Sequence, residues 1–168
     1  MRSMIGPSAA VFGMICSFAA AEQRSGLFEG CFARAYEKAD LERRLEQDVA
    51  VLVVDVLPLS QTGGSVRVIA RLGNSPHLWR EGHSNKIVLG SAYCPSFDPP
   101  ATCVQSCPDQ GGFEIVARTD DQIDISVSTT FSLGLDDQCD HLADLSHAGA
   151  DPATYRLYRV DPIVCLRN

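Results

Sequence analysis

The fold is decided by the stretch Val49-Ala50-Val51-Leu52-Val53-Val54-Asp55-Val56-Leu57, which is rich in β-branched residues and ends at Pro58. This composition predicts a β-strand, because branched side chains pack well on a pleated sheet and proline ends the ladder. The glycines of 61–64 predict a turn, and 65–72 alternates apolar and polar residues. Together these segments predict a β-hairpin. Nine residues are too few to cross a bilayer as a helix.

Similar short segments surround this hairpin. They predict further strands at 26–34, 77–83, 86–93, 112–118, 122–128, 131–135 and 155–160. One short helix is predicted at 36–47, where Leu41 and Leu45 share a face. The fold class is therefore mainly all-β: a small antiparallel β-barrel or β-sandwich of about eight strands with one short helix. We favour the barrel, because the connections follow one another as hairpins and closure removes exposed sheet edges.

Cysteines and prolines concentrate in residues 94–108, which hold three cysteines and four prolines. Six cysteines follow residue 21: Cys31, Cys94, Cys103, Cys107, Cys139 and Cys165. An even number in an exported chain indicates disulfides, and six cysteines allow fifteen pairings. We expect Cys107 to pair with Cys94 or Cys103, and Cys165 to pair with Cys31 or Cys139. Zinc is the alternative, since Cys103 and Cys107 have a plausible ligand spacing, but no second ligand pair lies nearby.

The first 21 residues have the pattern of a Sec signal peptide. Arg2 precedes an apolar run at 8–18, and small residues end at Ala21, where cleavage is expected. Cys16 raises the alternative of a lipoprotein, but the bulky Ile15 before it argues against lipidation. The sequence thus predicts a single β-rich domain at 22–168, located in the periplasm or secreted.

The charge of the chain limits its partners. The formal net charge is −7, and loss of Arg2 with the signal peptide makes it one unit more negative. Phosphate backbones and anionic membrane surfaces repel such a protein, so we expect no nucleic-acid partner and no binding to an anionic membrane. The apolar runs are too short to cross a bilayer, so we also expect no membrane span. The field favours a basic protein or a cation.

A family resemblance is carried by Cys103-Val104-Gln105-Ser106-Cys107-Pro108-Asp109-Gln110-Gly111-Gly112-Phe113, by Tyr155-Arg156-Leu157-Tyr158-Arg159-Val160-Asp161-Pro162-Ile163-Val164-Cys165, and by Gly30-Cys31-Phe32. In these motifs the chain resembles a group of uncharacterised exported bacterial proteins that are β-rich and contain cysteines. The resemblance covers most of the chain after the signal peptide. It implies that the cysteines, the Gly111-Gly112 turn and the final strand belong to one scaffold. It implies no activity, cofactor or catalytic residue.

Catalytic motifs are absent from the sequence. The candidate bases are His77, His83, His141 and His147. No Gly-x-Ser-x-Gly elbow occurs, and Ser84 only neighbours His83 in the chain. Disulfide pairing would also consume the thiols that a cysteine nucleophile needs. We therefore predict that the protein is not an enzyme and assign no catalytic residue.

The acidic segment 136–151 is the densest run of metal-ligand residue types: Asp136, Asp137, Asp140, His141, Asp144, His147 and Asp151. Carboxylates in a flexible loop suit calcium, but their order does not match an EF-hand. We interpret the segment as a solvated loop attached through Cys139, and we predict no metal and no cofactor. Whether this loop binds calcium is left open by the sequence.

Two kinds of binding surface remain. Trp79, Tyr93, Phe97 and Phe113 could line a barrel mouth, although aromatic residues are more often core. Phe97, Asp98, Pro99 and Pro100 form a candidate contact loop, because a loop fixed by cysteines loses little entropy on binding. The leading hypothesis is a non-enzymatic exported domain that binds an envelope or extracellular protein in the manner of an inhibitor. The first alternative is a small-ligand carrier with a cavity in the barrel, and the second is a metal-dependent or hydrolytic enzyme.

Overall fold

Ten strands and two short helices make up the part of the chain that the computed structural model describes, residues 28–37, 48–60, 62–107, 111–135, 142–146 and 152–166. The strands are β1 Gly30–Ala35, β2 Val49–Pro58, β3 Gly64–Leu72, β4 Ile87–Cys94, β5 Ala101–Gln105, β6 Gly112–Arg118, β7 Gln122–Val127, β8 Ser132–Leu133, β9 Ala143–Asp144 and β10 Ala153–Val160. The helices are α1 Pro76–Arg80 and α2 Ile163–Leu166.

Eight of the strands form a closed antiparallel barrel, which confirms the predicted fold class. Strands β1 to β7 pair in chain order, and β10 closes the barrel between β7 and β1. The predicted hairpin of β2 and β3 is present, with a register that runs to Pro58 opposite Gly64. Strands β8 and β9 form a separate two-stranded sheet in the connection from β7 to β10.

Alternate residues of the strands fill the barrel interior. On β2 these are Leu52, Val54 and Val56, all at most 1 % exposed. They join one continuous buried cluster with inward residues of every other barrel strand and with Phe131 and Leu133 from the β8 region. Burial of each such aliphatic side chain contributes about 1.5–3 kcal/mol, so the barrel interior is the main source of stability.

The outer face of β2 is apolar too, which explains why its sequence does not alternate. Val53 and Ile69 are 2 % and 3 % exposed, and they pack in a second cluster with Cys31 and Cys165. A disulfide joins these two cysteines and ties α2 to β1. We call it the terminal disulfide. Arg67 donates to the Cys165 carbonyl at 3.0 Å and so also holds α2 against the wall.

An ion pair links β7 to β10 on another part of the outer wall. The Arg156 guanidinium donates from Nη2 and Nε to both carboxylate oxygens of Asp124, at 2.8 and 3.0 Å. Hydrogen bonding to Asp124, and then the charge of that carboxylate, raises the pKa of Arg156 above its ordinary value. The two residues lie opposite each other in the register of β7 and β10, so the pair links neighbouring strands of the wall.

A gap in the wall is closed by the β8 region. Strands β4 and β5 share only the pairs Ala92–Gln105 and Tyr93–Val104. Beyond them, Leu89 and Gly134 exchange backbone hydrogen bonds of 2.7 and 2.9 Å. The Gln105 side chain donates to the Ser132 carbonyl at 2.7 Å and accepts from the Ser132 N–H at 3.0 Å. A side-chain amide thus takes the place of a missing strand neighbour.

Three local predictions need correction or lie outside the described residues. The strand predicted at 77–83 is wrong: the chain forms α1, because Pro76 suits the first helical turn and Trp79 N–H donates to the Ser75 carbonyl at 3.0 Å. Strand β5 falls in the proline-rich stretch and was not predicted. The predicted signal peptide at 1–21 and most of the predicted helix at 36–47 lie outside the described residues. Neither α1 nor α2 is long and apolar enough to span a membrane.

Candidate functional site

The candidate site is built around residues 95–100, the connection between β4 and β5, which we call the clasp loop. A disulfide between Cys94 and Cys103 closes its base, with the two Cα atoms 4.2 Å apart. The pairing follows from the register, since Tyr93 opposite Val104 places Cys94 opposite Cys103 in an antiparallel pair. We call this bond the clasp disulfide.

The disulfide predictions are therefore partly right. The pairing of Cys165 with Cys31 is confirmed. The pairing of Cys107 with Cys94 or Cys103 is wrong, because those two residues bond each other. Cys107 is disulfide-bonded as well, and none of the four cysteines just described is its partner. Cys139 lies outside the described residues.

Phe97 anchors the clasp loop in the barrel. Its side chain is 2 % exposed, and its ring lies 5.7 Å from the ring of Phe28, which stacks on Phe32. The Phe97 N–H donates to the Thr62 carbonyl in the β2–β3 turn at 2.7 Å. Phe97 is therefore not available for contact with a partner. The predicted contact loop is wrong at Phe97, and its exposed residues are Asp98, Pro99 and Pro100.

The tip of the clasp loop is exposed. Asp98, Pro99 and Pro100 all face solvent, and the Asp98 side chain is 72 % exposed. Asp98 N–H donates to Ser96 Oγ at 3.0 Å, and its carboxylate pairs with Arg118. The Arg118 guanidinium in turn lies 4.6 Å from the centre of the Phe28 ring. The side chains of the tip are therefore exposed, while the hydrogen bond to Ser96 and the ion pair with Arg118 fix the position of Asp98.

The turn between β2 and β3 supports the clasp loop from the side. Gly63 is buried, and a Cβ atom there would overlap the carbonyl oxygens of Cys94 and Pro95. Only glycine permits this close approach of two backbones. The disulfide, the Phe97 anchor and the Gly63 contact hold the loop at three separate points.

The barrel end that carries the clasp loop is acidic, and we call it the clasp end. Connections of an antiparallel barrel alternate between ends, so the β2–β3, β4–β5 and β6–β7 turns share this end with the start of β1 and the end of β10. Exposed carboxylates here are Glu29, Asp98, Asp120, Asp121 and Asp161. Of the described residues at this end, Arg118 is paired with Asp98, and Arg159 donates to the carbonyls of Glu29 and Asp120.

An exposed apolar row lies on the outer wall beside the clasp loop. The register places Leu57, Ser65, Tyr93 and Val104 side by side on four adjacent strands. Leu57, Tyr93 and Val104 are 46, 53 and 56 % exposed, and Leu59 just beyond the row is 72 % exposed. At the usual strand spacing this row spans roughly 14 Å. Large apolar side chains exposed together in this way are typical of contact surfaces.

The four aromatic residues proposed for a barrel mouth do not meet. Phe113 is buried against Phe131, with ring centres 5.2 Å apart, and Phe97 is buried under the clasp loop. Tyr93 points out of the wall, and Trp79 is 70 % exposed on α1. The expectation that these aromatic residues are core is thus confirmed for Phe97 and Phe113 and wrong for Tyr93 and Trp79, and the four do not line a common barrel mouth.

Within the part of the chain that the structure describes, the candidate catalytic and metal residues do not come together in one cluster. His83 Nδ1 lies 3.3 Å from Lys86 Nζ, and within the described residues Ser84 Oγ has no hydrogen-bond partner. Asp144 accepts hydrogen bonds from the backbone N–H groups of Phe131 and Ser146 at 2.9 and 2.8 Å. Across the described ranges, no three or more His, Cys, Asp or Glu side chains are grouped as metal ligands. Asp136, Asp137, Asp140, His141, His147 and Asp151 lie outside those ranges.

Some residues of the site could not be identified from the sequence alone. Val104 and Leu57 face solvent only because of their register, and Arg118 meets Asp98 only through the fold. The alternation in Ala101-Thr102-Cys103-Val104-Gln105 was the one available signal, since it predicts Cys103 inside and Val104 outside.

The disulfides indicate an oxidising, non-cytoplasmic compartment for the protein. Comparisons of the chain with protein-family models, with curated proteins and with solved structures found no match.

Proposed function

We propose that this protein is an exported, non-enzymatic β-barrel, periplasmic or secreted, that binds another protein of the cell envelope through its clasp end. The observation that carries the proposal is the clasp loop itself. Its base is closed by the clasp disulfide and its middle is anchored by buried Phe97, while Asp98, Pro99 and Pro100 face solvent. A loop that is already ordered loses little conformational entropy on binding.

The surroundings of the loop support a protein partner rather than a small ligand. The exposed row of Leu57, Tyr93 and Val104 adjoins the base of the loop and extends the contact area across the wall. Stable protein interfaces bury about 800 Å² on each partner, more than a six-residue loop alone can supply. An apolar centre with a polar rim is the usual arrangement of such interfaces.

The negative charge of the clasp end indicates the charge of the partner that it attracts. Its exposed carboxylates outnumber its described arginines, and both arginines are engaged within the protein. A partner with basic side chains around its contact surface is attracted to this end, and the association rate should fall as salt rises. Insertion of a rigid, exposed loop into such a partner would be an inhibitor-like mode of binding.

The experiment compares charge reversals at the two ends of the barrel. Asp98→Lys acts at the clasp loop, and Glu37→Lys, an exposed residue just after β1 at the opposite end, is the matched control. Each purified, oxidised variant is used to capture proteins from an envelope extract at low and high salt. We expect a protein that is recovered by the wild type and by Glu37→Lys, and at least about fivefold less by Asp98→Lys.

Folding must be separated from binding in this comparison. Asp98 is mostly exposed, so loss of its pair with Arg118 should change the free energy of unfolding by no more than about 1 kcal/mol. Unfolding curves of all three proteins are measured first. Equal recovery of every captured protein by Asp98→Lys and Glu37→Lys would contradict binding at the clasp end.

A further inference from the structure

Trp79 stands out because it is the single tryptophan of the chain and its side chain is 70 % exposed. An exposed tryptophan leaves a large apolar face in water, and monomeric domains bury most of that area. The residue lies on α1, in the connection between β3 and β4, and so at the barrel end opposite the clasp loop. Its exposure is therefore unrelated to the clasp end.

The backbone around Trp79 is firmly held. The neighbouring Leu78 is 2 % exposed and packs in the interior cluster. Trp79 N–H donates to the Ser75 carbonyl at 3.0 Å, and its own carbonyl accepts from Gly82 N–H at 3.1 Å. Ser75 Oγ bonds Asp48 Oδ1 at 3.1 Å, which ties this connection to the start of β2. The indole is thus presented outward from a fixed position.

A shallow surface depression of about 520 Å³ lies beside the indole, lined by Asn74, Pro76, Trp79 and Arg80. It combines one aromatic face with an amide and a guanidinium. The amide can donate and accept hydrogen bonds, and the guanidinium can bind a carboxylate through two parallel N–H groups. Asn74, Trp79 and Arg80 are all exposed, so a ligand would reach them without a conformational change.

We propose that this depression binds an acidic glycan, with one pyranose ring stacked on Trp79 and its carboxylate held by Arg80. The C–H face of a pyranose is apolar and matches an aromatic ring, while the hydroxyl groups at its edge need donors and acceptors such as Asn74. Of the described residues that line the depression, Arg80 is the charged one, and its guanidinium favours an anionic ligand.

The test uses the fluorescence of Trp79, which reports this site alone because the chain has no other tryptophan. The two probes share one backbone: a hexamer of 1,4-linked glucuronate and the neutral hexamer of 1,4-linked glucose. We expect the acidic hexamer to shift the emission to shorter wavelength and to saturate. The neutral hexamer should bind about tenfold more weakly, because it lacks the carboxylate for Arg80.

Arginine variants provide the controls. Arg80→Ala should weaken binding of the acidic hexamer about tenfold, whereas Arg71→Ala, an exposed arginine that does not line the depression, should leave binding unchanged. Trp79→Ala, followed by titration calorimetry, should abolish binding. Absence of a shift, or the same affinity in Arg80→Ala, would overturn the proposal. So would an emission shift caused only by envelope proteins, which would assign the depression to a protein partner. Since the two sites lie at opposite ends, failure here leaves the capture experiment at the clasp end unaffected.

Discussion

Replacement of Phe97 by alanine should destabilise the protein strongly, although the residue lies in an exposed loop. The Phe97 side chain is 2 % exposed and belongs to the interior cluster, next to Phe28. Truncation of a buried phenylalanine to alanine costs about 3–5 kcal/mol, because it removes apolar burial and leaves a cavity. For a chain of 168 residues, each kcal/mol shifts the melting temperature by about 2–4 °C. We therefore expect a fall of about 6–20 °C.

The neighbouring residue is the control. Asp98→Ala removes a side chain that is 72 % exposed, and its ion pair with Arg118 is worth at most about 1 kcal/mol. Both variants are compared with the wild type by urea unfolding and by calorimetry, with all disulfides intact. A Phe97→Ala protein within about 1 kcal/mol of the wild type would refute the anchor. Phe97 would then be a surface residue.

The other predictions concern the parts that hold the wall and the loop. The cysteines of the terminal disulfide are 134 residues apart and those of the clasp disulfide 9 apart, so the chain-entropy model gives about 5 and about 3 kcal/mol for the two bonds. Paired Cys→Ser replacements followed by urea unfolding should show this order, and the reverse order would contradict it. Gln105→Leu removes both side-chain hydrogen bonds to the buried backbone of Ser132 and should cost about 2–4 kcal/mol, measured by thermal unfolding. Gly63→Ala should cost about 2–3 kcal/mol, because its Cβ would overlap the Cys94 carbonyl. Gly82→Ala, which has open space around it, should cost only about 1 kcal/mol for its positive φ of 71°, and equal losses would contradict the packing explanation.

The barrel could be predicted from the sequence because its strands and turns have recognisable local residue patterns. Ser65 to Leu72 alternates faces, the run from Val49 is rich in β-branched residues, and glycines mark the turn between them. The terminal disulfide could be predicted only as one of several pairings. Its partners are 134 residues apart, and nothing local specifies contacts at that distance.

The details of the candidate site depend on register and tertiary contact. Phe97 looks like a loop residue in the sequence, and only its contact with Phe28 makes it an anchor. Strand β5 is short and follows two prolines, so its pairing with β4 could not be predicted. Without that pairing, the clasp disulfide could not be predicted either. Helix α1 has five residues, too few for a helical period to be visible beside an aromatic, strand-like composition.

The central claim is that the clasp end contacts another protein, and site-specific photo-crosslinking tests it most directly. A photoreactive phenylalanine analogue is placed at Pro100 in the exposed tip or at Glu37 at the opposite end, and the protein is irradiated in intact cells. Adducts are then identified by mass spectrometry. We predict a discrete protein adduct from position 100 that is weakened by Asp98→Lys and is absent from position 37. No adduct at position 100, or the same adducts from both positions, would contradict the claim.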